Sequence, residues 1–70
     1  MDLESRLKHF RSSLTDKTFE KAQDLARAEG HFVVPVSIDG EATILTADVN
    51  LSRVRVRLVD NLVTEVEGIG

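Results

Sequence analysis

The sequence predicts one small α+β domain: a single helix packed on a small mixed β-sheet, with a long exposed loop between two strands. Three observations point to it. Phe19, Ala22, Leu25, Ala26 and Glu29 recur at helical spacing and run into Gly30, a residue suited to ending a helix. Val54, Val56 and Leu58 alternate with Arg53, Arg55 and Arg57, the period of a half-buried strand. Between Asp39-Gly40 and Arg53 lies a stretch of mixed polar and apolar residues without Gly or Pro from Glu41 to Ser52, which favours an ordered loop over a linker.

Taken in order, residues 2–14 place Leu3, Leu7, Phe10 and Leu14 at helical spacing behind Asp2, a possible cap. Two readings stay open there, a helix or an irregular arm that drops a few anchors onto the core. Thr15-Asp16-Lys17-Thr18 breaks the pattern and supplies N-cap side chains. A helix follows from Phe19 to Glu29, with Glu20 favourably placed in its positively polarised first turn. His31 to Ile38 reads as a strand with Phe32, Val34, Val36 and Ile38 on one face. Pro35 inside it implies that its missing N–H faces no strand partner. Asp39-Gly40 is a turn signal, but too far from the next strand's apolar run to mark a simple two-residue hairpin. Arg53 to Val59 is the clearest strand, Asp60-Asn61 a turn, and Leu62 to Glu67 a final strand. In that last strand Val63, Glu65 and Glu67 alternate against Leu62, Thr64 and Val66, and the acidic members can face the arginine row across the sheet.

The chain has 70 residues, enough for one domain over 1–70 with a modest core and marginal stability. It has no cysteine, so disulfides, thiol chemistry and Cys-based zinc sites are excluded. A net charge of −3 argues against nucleic acid as a partner, which favours a strong basic footprint. The longest apolar run is too short to span a bilayer, and residues 1–30 lack the apolar stretch of a secretory signal. The expected compartment is either the cytoplasm or, for a mature form, the outside of the cell. His9 and His31 are far apart in sequence with no ligand cluster, so no metal or other cofactor is expected. Ser12, Ser13, Ser37 and Ser52 have no nucleophile context, so the chain is not expected to be an enzyme.

Candidate function concentrates where the loop enters the arginine strand. Arg53 and Arg55 leave the same strand face about 7 Å apart, given the rise of an extended chain. Two planar, permanently charged guanidiniums there can reach back over the loop to Asp48 and the Thr46 hydroxyl. The plain alternative is a solvated polar strand face, which is how Arg57 is read. A third possibility, a nucleic-acid contact through Arg53, Arg55 and Arg57, meets the charge argument above.

One pattern runs through the chain: Leu7-Lys8-x-Phe10, Lys17-Thr18-x-x-x-Ala22, Gly40, Thr46-Ala47-Asp48, Arg53-Val54-Arg55-Val56, then Val63, Val66 and Gly70. It resembles the potato inhibitor I family of serine protease inhibitors, from about Ser5 to Gly70. The resemblance implies one helix on a small mixed sheet, with the long loop joining two parallel strands and carrying a scissile bond. It implies that Ala47 supplies the acyl side of that bond and Asp48 the leaving-group side. Ile44, Leu45, Thr46 and Val49 would line the protease cleft, and Arg53 and Arg55 would brace the loop, with the carboxylate at Gly70 against one of them. The implied partner is a serine endopeptidase of the subtilisin, elastase or chymotrypsin kind, and Ala47 suits a small or shallow pocket such as the first two offer. The chain is expected to be a monomer. The segment from Gly40 to Thr46 is slightly longer than the family pattern. That difference keeps open a second reading, the same fold as a non-inhibitory partner-binding or scaffold module.

Overall fold

The computed structural model describes residues 2–43 and 48–70. Its elements are α1 (Leu3–Leu14), α2 (Phe19–Arg27), β1 (Phe32–Ile38), β2 (Glu41–Ala42), β3 (Arg53–Val59) and β4 (Leu62–Ile69). The strands form a mixed sheet ordered β2-β1-β3-β4, in which β1 and β3 run parallel and the outer pairs antiparallel. Both helices pack on the sheet, so the α+β class stands, with two helices in place of the single one expected.

The extra helix settles the open reading of the N-terminal segment. The Asp2 carboxylate accepts the Ser5 N–H at 2.7 Å, a cap that also holds its carboxyl below the usual range. Phe10 and Leu14 are fully buried, and Leu7 packs beside them. The helix therefore has both a start signal and a face with somewhere to go, against β4 and α2. Leu3, the first apolar residue of the stripe, stays 47% exposed. After Thr15 the chain turns through Asp16 and meets β4: Asp16 N–H donates to the Val63 carbonyl and Val63 N–H to the Lys17 carbonyl. Those two bonds close part of the outer edge of β4, where unpaired backbone would otherwise be open to another strand.

Helix α2 begins where the cap residues predicted. Thr18 Oγ1 accepts the Lys21 N–H, and Glu20 accepts from the Asn61 amide at 2.9 Å, which lowers its carboxyl pKa. It ends at Arg27, earlier than Glu29, because residues 28–30 form the closing turn. His31 N–H returns to the Ala26 carbonyl at 2.9 Å, which requires the left-handed backbone of Gly30.

Phe32 and Val34 do share one face of β1, but it is not the buried one. Val33 pairs with Val54 and is buried, whereas Phe32 and Val34 pair with Arg53 and Arg55 and share the arginine side. The apolar alternation of Phe32, Val34, Val36 and Ile38 misled because Val33 and Pro35 are apolar too. His31, Val33 and Ser37 are the buried residues in this stretch, and a register shift between Pro35 and Ser37 lets Ile38 lie opposite Leu58. Pro35 and Val36 turn carbonyls toward Thr43, which bonds them through its hydroxyl and its N–H. Farther up the same edge, Gln23 of α2 takes the place of a neighbouring strand. Its Oε1 accepts the Val33 N–H at 2.7 Å and its Nε2 donates to the Val33 carbonyl at 3.1 Å. Gln23→Leu should therefore leave two part-buried backbone groups unpaired and cost about 2–3 kcal/mol. Chemical denaturation followed by circular dichroism measures it, and a loss below about 0.5 kcal/mol would contradict this role.

Asp39 and Gly40 do form a two-residue hairpin, contrary to expectation. Both have positive φ, and Ile38 pairs with Glu41 across them. The strand they lead into, β2, is two residues long and carries no alternation to read. Asp60 and Asn61 make a second turn of the same kind, between Val59 and Leu62. Strand β4 extends past Glu67 to Ile69, with Gly68 opposite Arg55. Its register shifts twice against β3, so Val63 and Val66 are both buried although simple alternation sends them to opposite faces. Phe10, Leu14, Ala22, Ala26, Val33, Val54, Val56, Leu58, Val63 and Val66 form the resulting core.

Candidate functional site

The site grows from the foot of the loop. Ser52 N–H donates to Asn50 Oδ1 at 2.9 Å and Arg53 N–H to the Asn50 carbonyl at 3.0 Å, a side-chain-assisted turn that delivers the chain into β3. Phe32 N–H donates to the Ser52 carbonyl at 2.9 Å and starts the parallel ladder with β1. Arg53 thus begins its strand from a fixed backbone.

Its side chain then turns back rather than out to solvent. Arg53 is 8% exposed. Its Nη2 donates to the Asp48 carbonyl at 2.7 Å, and its Nε donates to the Gly70 backbone oxygen at 2.7 Å. Gly70 N–H answers with a bond to the Arg53 carbonyl at 2.9 Å. One guanidinium thus ties residue 48 to the end of β4. Its Nη1 also lies 3.9 Å from the Asp48 carboxylate. That carboxylate is well exposed, so solvent screens the charge attraction; the two short bonds to backbone oxygens fix the geometry.

Arg55, on the same strand face, behaves differently. Its Nε is buried without a hydrogen-bond partner, and its guanidinium lies over Gly68, where an added Cβ would stand 2.6 Å from Nη2. The glycine makes room for the arginine. Among the described residues nothing accepts a hydrogen bond from the Arg55 side chain; Thr46, one of the two loop residues it was expected to hold, lies outside them. Arg57 is exposed and lies 3.5 Å from Glu65 and 3.2 Å from Glu67. The hydrogen bond and charge of Glu67, with a smaller contribution from Glu65, raise its pKa further. The acidic residues of β4 do face this end of the arginine row.

Ile44, Leu45, Thr46 and Ala47 lie outside the described residues. Val49 and Leu51, just downstream of Asp48, are 79% and 56% exposed. Among the described residues no group of three or more His, Cys, Asp or Glu side chains is placed to hold a metal ion, and no helix is long and apolar enough to cross a membrane. His9 bonds Glu29 at 2.8 Å, and His31 is buried between Arg6 and Ser52. Sequence reasoning missed Asn50, Arg6 and Gln23, whose partners are backbone or ring atoms that no spacing rule reveals. Comparison with models of known families, with curated proteins and with solved structures finds no match to this chain.

Proposed function

We propose that the chain inhibits serine endopeptidases of the subtilisin, elastase or chymotrypsin kind by presenting Ala47–Asp48 as a substrate bond. The observation that carries this reading is the Arg53 clamp: a buried guanidinium that bonds the Asp48 carbonyl and the Gly70 oxygen at once. It rests also on the resemblance of the Thr46-Ala47-Asp48 and Arg53-Val54-Arg55 motifs to the potato inhibitor I family.

The mechanism follows from what the clamp holds. Residues 44–49 enter the protease cleft extended and pair with it as an added strand. The protease serine attacks the Ala47 carbonyl with its own triad and oxyanion hole. Cleavage would create a new amine at Asp48. Arg53 grips the carbonyl of that same residue, so the amine stays beside the acyl-enzyme and re-forms the bond instead of leaving. The Arg53 bond already holds the Asp48 end of the loop, which lowers the entropic cost of binding there. The inhibitor supplies no catalytic group.

Ala47 is the contact for the primary pocket in this reading. Replacing it by Lys should gain trypsin inhibition and weaken inhibition of an elastase, each by at least about tenfold, since one primary side chain contributes 1.4 kcal/mol or more. Inhibition constants for the wild type and Ala47→Lys against both enzymes measure this. An unchanged ratio between the two enzymes would remove Ala47 from the primary contact. The longer segment before Thr46 favours the second reading, a partner-binding module of the same fold, and wild-type protein that inhibits none of these enzymes would leave that one standing.

A further inference from the structure

His31 follows the closing turn of α2 and is 6% exposed, with its ring edge-on to Phe10 at 5.0 Å between centroids. A buried imidazole needs a partner for each nitrogen, and both are present. Nε2 lies 3.1 Å from Arg6 Nη1 on α1, and Nδ1 lies 3.2 Å from the Ser52 carbonyl. The chemistry of these neighbours fixes the tautomer. A guanidinium only donates, so Nε2 accepts; a carbonyl only accepts, so Nδ1 carries the hydrogen and donates. The Ser52 oxygen then receives two bonds, from His31 Nδ1 and from the Phe32 N–H, and both its lone pairs are used.

The location of that oxygen gives the arrangement its consequence. Ser52 immediately precedes Arg53, and the peptide between them sets the direction in which the clamping side chain leaves the strand. The 52–53 peptide is held from one side by Asn50 and from the other by β1 and the imidazole. We infer that His31 is a positioning residue for the loop: in its Nδ1–H form it bridges Arg6 of α1 to the Ser52 carbonyl and thereby aims Arg53 at Asp48. The inference rests on the inhibitory reading for its consequence in function, and on geometry alone for the position of Arg53. It also gives α1 a task beyond covering the core, because Arg6 supplies the donor that selects the tautomer.

Two variants separate positioning from bulk stability. His31→Leu keeps an apolar body and removes both ring bonds. His31→Asn returns a donor near the place of Nδ1 and leaves the Arg6 arm unmade. Amide hydrogen exchange by NMR on the full chain reads the foot through Phe32 and Arg53 and the distant sheet through Val63. His31→Leu should speed exchange at Phe32 and Arg53 about tenfold more than at Val63, the change expected on losing one buried hydrogen bond, and His31→Asn should restore most of it. Cleavage of the loop by a protease that the wild type inhibits should quicken and recover in the same order. Equal acceleration at all three amides would reduce His31 to a core residue and overturn the inference, as would no acceleration anywhere. If His31→Leu does not fold, ring nitrogen shifts of the wild type decide: an Nδ1–H imidazole supports the assignment and an Nε2–H one overturns it. Wild-type protein that inhibits no protease while the exchange pattern holds would refute the inhibitory reading and leave the position of His31 intact.

Discussion

If the chain is the inhibitor proposed above, Arg53→Ala should turn it into a substrate. The variant loses two short charge-assisted bonds, to the Asp48 carbonyl and to the Gly70 oxygen. Part of that loss falls on the fold, because Gly70 is held to β3 through the same side chain as well as through its own N–H. The part at Asp48 falls on the loop alone. Losing roughly 3 kcal/mol of restraint there should raise the rate of net loop cleavage about a hundredfold. Arg55→Ala should do much less, since nothing among the described residues accepts from the Arg55 side chain and its Nε is already buried without a partner. Cleavage of the wild type and both variants by one protease, followed by mass spectrometry, gives the comparison. Equal effects of the two substitutions would mean that bracing is shared in a way the Arg53 geometry does not account for.

Phe10→Ala should remove most of the stability of the domain. Phe10 is fully buried, and its ring meets His31 edge-on beneath the foot of the loop. Removing a buried phenyl ring costs about 3–5 kcal/mol through lost transfer energy and the cavity left behind. A chain of this size has only about 4–10 kcal/mol in total, by the usual stability per residue. The variant should therefore unfold at much lower denaturant or lack a cooperative transition. Circular dichroism suits the measurement, because the chain contains neither Trp nor Tyr. A loss under about 1 kcal/mol would mean that α1 is not docked and that its anchors are loosely held.

The parts of the fold written in local chemistry were legible in the sequence. Strand β3 spans the residues its alternation marks, because from Arg53 to Leu58 polar and apolar side chains never share a phase. Thr18 and Gly30 bound α2 through cap and turn geometry that depends on neighbours only a few residues away. The buried face of strand β1 is not legible, for the converse reason. Phe32, Val33, Val34, Pro35 and Val36 are apolar on both faces, so only the register with Val54 decides which are buried. The Asp39-Gly40 turn signal does not reveal its hairpin because β2 is too short to show a pattern. In the final strand, two register shifts place Val63 and Val66 together where simple alternation separates them.

The candidate site divides in the same way. Arg53 and Asp48 are close in sequence, and the strand period already put the guanidinium on a usable face. That Arg53 acts toward Asp48 while Arg55 lies over Gly68 depends on side-chain paths, which residue spacing does not carry. Gln23 and His31 could not be read at all. Each is defined by backbone atoms that the sheet brings near, Val33 for the one and Ser52 for the other.

Titrating the purified wild-type chain against subtilisin, an elastase, chymotrypsin and trypsin, and mapping any cut by mass spectrometry, decides whether the chain inhibits through its loop. Inhibition through Ala47–Asp48 should show as tight binding to at least one of the first three, weak action on trypsin, and slow cleavage confined to that bond. Rapid cleavage at another bond, or no inhibition of any of the four, would contradict it.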